Sequence, residues 1–267
     1  MTSKYFDGNT IDVAKHAHIL AKPAATKTIV IFFTPRSGSS WLTDILAQTK
    51  VLGRANELFN PNFLPKSSAA LQADTLDAYI EAARRQLNVG GVFSFEVTMH
   101  QLRAVFDSED DFHDRFRNST FVWLTRRDIV AQAVSLAKMV ETKVAHSPYV
   151  TDDELISAEE KFEYSDSGVK RWIEHILHAE KGTEAYFRKH NVTPLRLVYE
   201  SMVDEGAPTI AEKIASEAGV HLNLKAPISE THQKIATSLN AEFAQRFRRR
   251  HPFFLRGIEW KRRRHAR

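Results

Sequence analysis

The chain has 267 residues, is 43% hydrophobic and 26% charged, and contains no cysteine. That size and balance suit a folded α/β domain with a real core and argue against a disordered chain. The missing thiols exclude disulfides, thiolate metal centres and cysteine nucleophiles. The net charge of +4 is unevenly spread, because residues 242–267 carry ten Lys/Arg against two Glu. A mildly acidic body therefore ends in a basic tail, which offers a surface for nucleic acid, acidic lipid or nucleotide, or simply a solvated helix face.

In chain order, residues 1–26 read as an N-terminal extension with a short helix near 11–20, and residues 27–267 as one domain. The apolar run Ile29-Val30-Ile31-Phe32-Phe33 reads as a strand buried on both faces. It breaks at Thr34-Pro35-Arg36-Ser37-Gly38-Ser39-Ser40 and resumes at helical spacing through Trp41, Leu42, Ile45 and Leu46. Val51-Leu52-Gly53 suggests a second strand, followed by a loop holding Glu57 and ended by Asn60-Pro61. Residues 71–89 carry a helical pattern stopped at Gly90-Gly91, and 92–97 read as a third strand. Residues 121–124 form a fourth, with Asp128 placed as the N-cap of the helix that follows Arg126-Arg127. An acidic stretch, 146–166, reads as an exposed connection or lid with about one helical turn, ahead of a long helix over 167–190. A fifth strand at 194–199 and helices near 209–218 and 241–250 complete the chain. Strands alternating with helices predict a central parallel sheet of about five strands flanked by helices, with ligands at the carboxyl ends of the strands. Asp7, Asp12 and Lys15 interrupt any secretory leader, and no apolar run reaches membrane-spanning length, so a cytoplasmic location is expected.

A strand, a Gly/Ser turn and a helix N-terminus make an anion pocket, since free N–H groups and the helix dipole face one point. A nucleoside triphosphatase or nucleotide kinase needs GxxxxGK[ST], but Ser39-Ser40-Trp41 follows Gly38 and the phosphate-binding lysine is missing. An arginine in a serine-rich turn suits a sulfonate joined to a 5′-phosphate: Arg36 can bind it bidentately while Ser37–Ser40 cradle the remaining oxygens. Arg127 and Ser135, about two helical turns apart, can share a second phosphate. Magnesium-dependent hydrolysis is thus poorly supported, and a nonenzymatic role would rest on the basic tail.

TPRSGSSWL followed by RRDIVAQAVSLAK resembles the sulfotransferases that use 3′-phosphoadenosine 5′-phosphosulfate (PAPS), in motif order and spacing over about residues 28–205. Within them the sequence is most similar to the bacterial trehalose 2-sulfotransferase family, through PRSGS, Glu57-Leu58-Phe59 and RRD…QAVSLAK. The resemblance implies a P-loop-like sulfotransferase fold and sulfuryl transfer from PAPS to a carbohydrate or glycolipid hydroxyl, without a metal. It implies a donor site of Pro35, Arg36, Ser37, Gly38, Ser39, Ser40, Arg127, Ser135 and Tyr199. It also implies Arg36 for charge stabilisation and Glu57 as the base, with His100 the rival base. A homodimer is expected by resemblance, peripheral membrane contact through the basic tail is open, and no nucleic-acid partner is expected. In one place the chain departs from the family: it reads Phe95-Glu96-Val97 where the trehalose enzymes carry a lysine, which bears on the acceptor more than on the donor.

Overall fold

The computed structural model describes residues 2–144, 151–223, 227–229 and 238–265. A 3₁₀ turn over Thr2–Tyr5 precedes α1 (Val13–Leu20), β1 (Lys27–Phe33), α2 (Ser39–Thr49), α3 (Leu64–Ala70) and α4 (Leu76–Gln86). Then come β2 (Val92–Val97), α5 (Met99–Val105), α6 (Glu109–Phe116), β3 (Thr120–Thr125), α7 (Ile129–Thr142), α8 (Asp152–Lys161) and α9 (Asp166–Lys189). The chain continues with β4 (Leu195–Val198), α10 (Tyr199–Glu205), α11 (Ala207–Glu217), α12 (Ser238–Arg250) and α13 (Pro252–His265). These elements fall into two compact units. The first is built from 1–33, 38–125 and 186–230, the second from 34–37, 126–185 and 231–267.

The first unit holds the sheet, in the order β2-β1-β3-β4, with every pairing parallel. Residue alternation sends successive side chains to opposite faces, and both faces are covered. Val30, Phe32, Phe93, Phe95, Phe121 and Trp123 enter one core cluster, together with Phe59 and Phe112. Ile29, Ile31, Phe33, Val122 and Leu124 enter the other, which is closed by Trp41, Leu42, Ile45 and Leu46 of α2. The N-terminal residues join the first cluster through Phe6 and Ile19. Asp12 caps α1 by accepting from the Lys15 N–H.

Among the described residues the sheet has four strands rather than five. Residues 51–53 form no strand because their backbone is already committed: Thr49 Oγ1 accepts from the N–H groups of Val51 (3.2 Å) and Leu52 (3.0 Å). Leu52 instead becomes a fully buried plug in the α2-side cluster. What reaches the sheet edge is Asn56, as a single parallel bridge to Phe95. The helix expected over 71–89 begins only at Leu76, where the Thr75 hydroxyl accepts from the Ala78 N–H.

The second unit packs α7, α9, α12 and α13 around Ile129, Ala133, Leu136, Ile173, Ile176, Phe243, Phe247 and Ile258. The acidic stretch forms α8, opened by a capping box between Thr151 and Glu154; its residues 146–150 lie outside the described residues, as do 266 and 267 of the tail. Arginines of the basic tail pair with the chain's own carboxylates. Arg248 reaches both oxygens of Asp128 at 2.6 Å, Arg250 pairs with Asp166 at 2.8 Å, and Arg262 with Glu180 at 2.7 Å. No helix among the described residues is long and apolar enough to cross a membrane.

Candidate active site

Within the second unit, the segment Thr34–Ser37 is held by α7 and the residues that lead into it. Gln132, buried on α7, donates to Thr34 Oγ1 (2.9 Å) and to the Pro35 carbonyl (2.8 Å). Arg126 donates to the Arg36 carbonyl at 3.2 Å. The Arg36 side chain in turn donates from Nε to the Ser135 hydroxyl at 2.9 Å, joining two motifs 99 residues apart in sequence. Arg36 also has a left-handed backbone, φ 66°. That conformation costs a non-glycine residue on the order of 1–2 kcal/mol, and the surrounding hydrogen bonds over-determine it. Burial, then the neighbouring Arg126 guanidinium, pull the Arg36 pKa down to about 10. A half-buried guanidinium beside a second one makes a place where a bound anion would be favoured. The Ser37 hydroxyl is likewise buried without a protein partner. Both features fit a phosphosulfate group.

Ser135 and Arg36 are thus brought together, while the Arg127 side chain stands exposed at the start of the helix segment. The carbonyls of Arg126 and Arg127 accept from Arg262 of α13 at 2.6 and 2.8 Å, so a tail arginine braces this turn. Gln132 and Arg262 escaped the sequence reading. A glutamine on an otherwise apolar helix face, three residues before Ser135, is the legible signal for the first. Nothing local marks the second.

In the first unit, α2 starts from Gly38, whose φ is 96° and which supplies no side-chain cap. A Cβ there would also overlap the ring of Tyr199, the first residue of α10. Tyr199 packs edge-on against Trp41 with centroids 6.0 Å apart. Glycine at 38 is therefore required twice, by backbone and by neighbour, and the first N–H groups of α2 stay open to an anion. Ser39 is buried and Ser40 exposed.

The same unit positions Glu57. The Glu96 N–H donates to the Asn56 carbonyl at 3.1 Å, fixing the residue before Glu57 on the edge of β2. The residues after it are pinned by the core. Tyr79 Oη donates to the Leu58 carbonyl at 2.8 Å, and Phe59 meets Tyr79, Phe95, Phe106 and Phe116. The carboxylate accepts from Asn60 Nδ2 at 2.7 Å and from Gln101 Nε2. Gln101 is itself oriented by its capping box with Thr98 at the start of α5. His100, the rival base, is exposed on the same helix, so Gln101 is the α5 residue that meets Glu57.

Glu96 completes the group. The alternation of β2 turns Phe93, Phe95 and Val97 to one cluster and leaves Ser94 and Glu96 on the face that α2 covers. Its carboxyl lies close to Ser39, and its Oε2 is buried without a partner. Burial first, and then the negative charge of Glu57, push its pKa well above the carboxylate range.

A family model described as Stf0 sulphotransferase matches residues 28–250. The chain belongs to the Stf0 sulphotransferase family. This is the trehalose 2-sulfotransferase family, and the four-stranded parallel sheet flanked by helices agrees with the sulfotransferase fold. The family's chemistry is sulfuryl transfer, which makes this Stf0 protein an enzyme that transfers sulfate. None of the curated proteins matches the chain.

Proposed function

We propose that this Stf0 enzyme moves the sulfuryl group of PAPS to a hydroxyl of a carbohydrate or glycolipid. The observation that carries the reading is the hydrogen bond from Arg36 to Ser135, which unites the two elements of the donor signature. Bound PAPS supplies the activated sulfuryl group. The chain's residues would do the rest. Pro35 to Ser40 hold the 5′-phosphosulfate, Arg127 and Ser135 serve the 3′-phosphate, and Tyr199 supports the loop at Gly38. Arg36 stabilises the negative charge that grows on the bridging oxygen as the S–O bond breaks. Glu57 takes the proton from the acceptor hydroxyl as the new O–S bond forms, a general-base contribution of about 10²–10⁴-fold. Gln101 and Asn60 hold that carboxylate in one orientation, which is what an in-line transfer demands. A homodimer belongs to the same proposal by family likeness.

Isothermal titration with 3′-phosphoadenosine 5′-phosphate tests the donor assignment. Binding without magnesium, lost in Arg36→Ala and weakened in Arg127→Ala, is the expected result. Folded wild-type protein that does not bind, or binds only with magnesium, overturns it. Screening carbohydrate acceptors with sulfur-labelled PAPS then identifies the other substrate.

A further inference from the structure

Glu96 is a second acid in the pocket that the reaction as drawn leaves without a task. It sits one residue from the carboxyl end of β2, on the face covered by α2, and is 6% exposed. Groups close enough to act on it include Ser39, the first residue of α2, and Glu57 from the loop beside the strand. Gln101 donates its amide N–H to Glu57 and accepts from the Thr98 N–H at its amide oxygen. Oε2 therefore remains without a partner inside the protein. A carboxylate in that position would face Glu57 and the anion that an uncapped helix N-terminus attracts. A carboxylic acid faces neither conflict, and it carries an O–H to donate.

We propose that Glu96 works as an uncharged carboxylic acid that donates a hydrogen bond from Oε2 to an oxygen of the anionic group bound at the N-terminus of α2. It is thus a donor-contacting residue in its own right. By staying neutral it also leaves Glu57 to carry the charge that a base needs. The inference rests on the donor assignment above. The raised pKa caused by burial and by Glu57 agrees with it, and the burial of Glu96 with its unpartnered Oε2 supports it independently.

Infrared spectroscopy of the full chain near neutral pH tests it directly. The wild type should show the carbonyl stretch of a protonated carboxyl that is absent from Glu96→Gln, and that band should shift when PAPS is added. In titration calorimetry Glu96→Gln, whose amide can still donate, should bind PAPS within about threefold of the wild type. Glu96→Leu should lose about tenfold, the scale of one hydrogen bond to a charged acceptor. If Glu96→Gln does not fold, Glu57→Gln keeps the test open, since removing that charge should lower the pH at which the band disappears. No protonated-carboxyl band, a band that ignores PAPS while PAPS binds, or a Glu96→Leu protein of wild-type affinity each overturns the inference alone. A wild type that binds no nucleotide instead sinks the donor assignment on which it stands.

Discussion

Two regions of this enzyme use the same physics with opposite sign. In the second unit a half-buried guanidinium, Arg36, lies beside another, Arg126, and its proton affinity falls. In the first unit a buried carboxyl, Glu96, lies beside another, Glu57, and its proton affinity rises. Each pair puts like charges together in a poorly solvated place, which proteins avoid unless something else compensates. On the proposed reading, a bound anion would relieve the arginine pair and a proton the carboxyl pair. The supports differ as well. Gln132 and Arg126 hold the arginine loop by hydrogen bonds, whereas the Glu57 loop adds to its hydrogen bonds a packed aromatic cluster at Phe59.

The largest effect should come from the carboxyl region. Glu57→Gln is expected to keep nucleotide affinity but lose about 10²–10⁴-fold in turnover. Full retained turnover would remove Glu57 from the chemistry and reduce the contrast to one of structure alone. Next comes the aromatic support. Phe59→Ala should cost about 3–5 kcal/mol in urea unfolding, because it empties a fully packed core position. The smallest effect belongs to the hydrogen-bonded support. Gln132→Ala should cost about 1–3 kcal/mol, by leaving the Pro35 carbonyl and Thr34 hydroxyl without this partner. It should weaken nucleotide binding more than it lowers the urea midpoint. If Phe59→Ala and Gln132→Ala prove equally destabilising, the two regions are not built differently after all.

Much of this was legible in the residues, for physical reasons that differ by place. β1 announced itself because five consecutive apolar side chains suit a strand covered on both faces, and that is where they lie. The 34–40 turn was legible because a Pro/Gly/Ser break separates the apolar run of β1 from the helical spacing that resumes at Trp41. The false strand at 51–53 shows the limit: Thr49, two residues away, claims the N–H groups with its side chain, and composition does not reveal that competition. The short helices α3, α5 and α6 were missed because seven or eight residues give a weak periodic signal. Gln101 was hidden for another reason. Its partner Glu57 lies 44 residues away, and a neighbouring histidine drew attention as the more familiar base.

The left-handed backbone at Arg36 has a consequence for anyone trying to harden this enzyme. Glycine or asparagine at position 36 would relax the turn and could raise the melting temperature by a few degrees, about what 1 kcal/mol does in a domain of this size. Either change discards the guanidinium. Under the role proposed for Arg36, a screen that scores heat resistance alone would favour inactive protein at this position, and a useful library leaves residue 36 untouched.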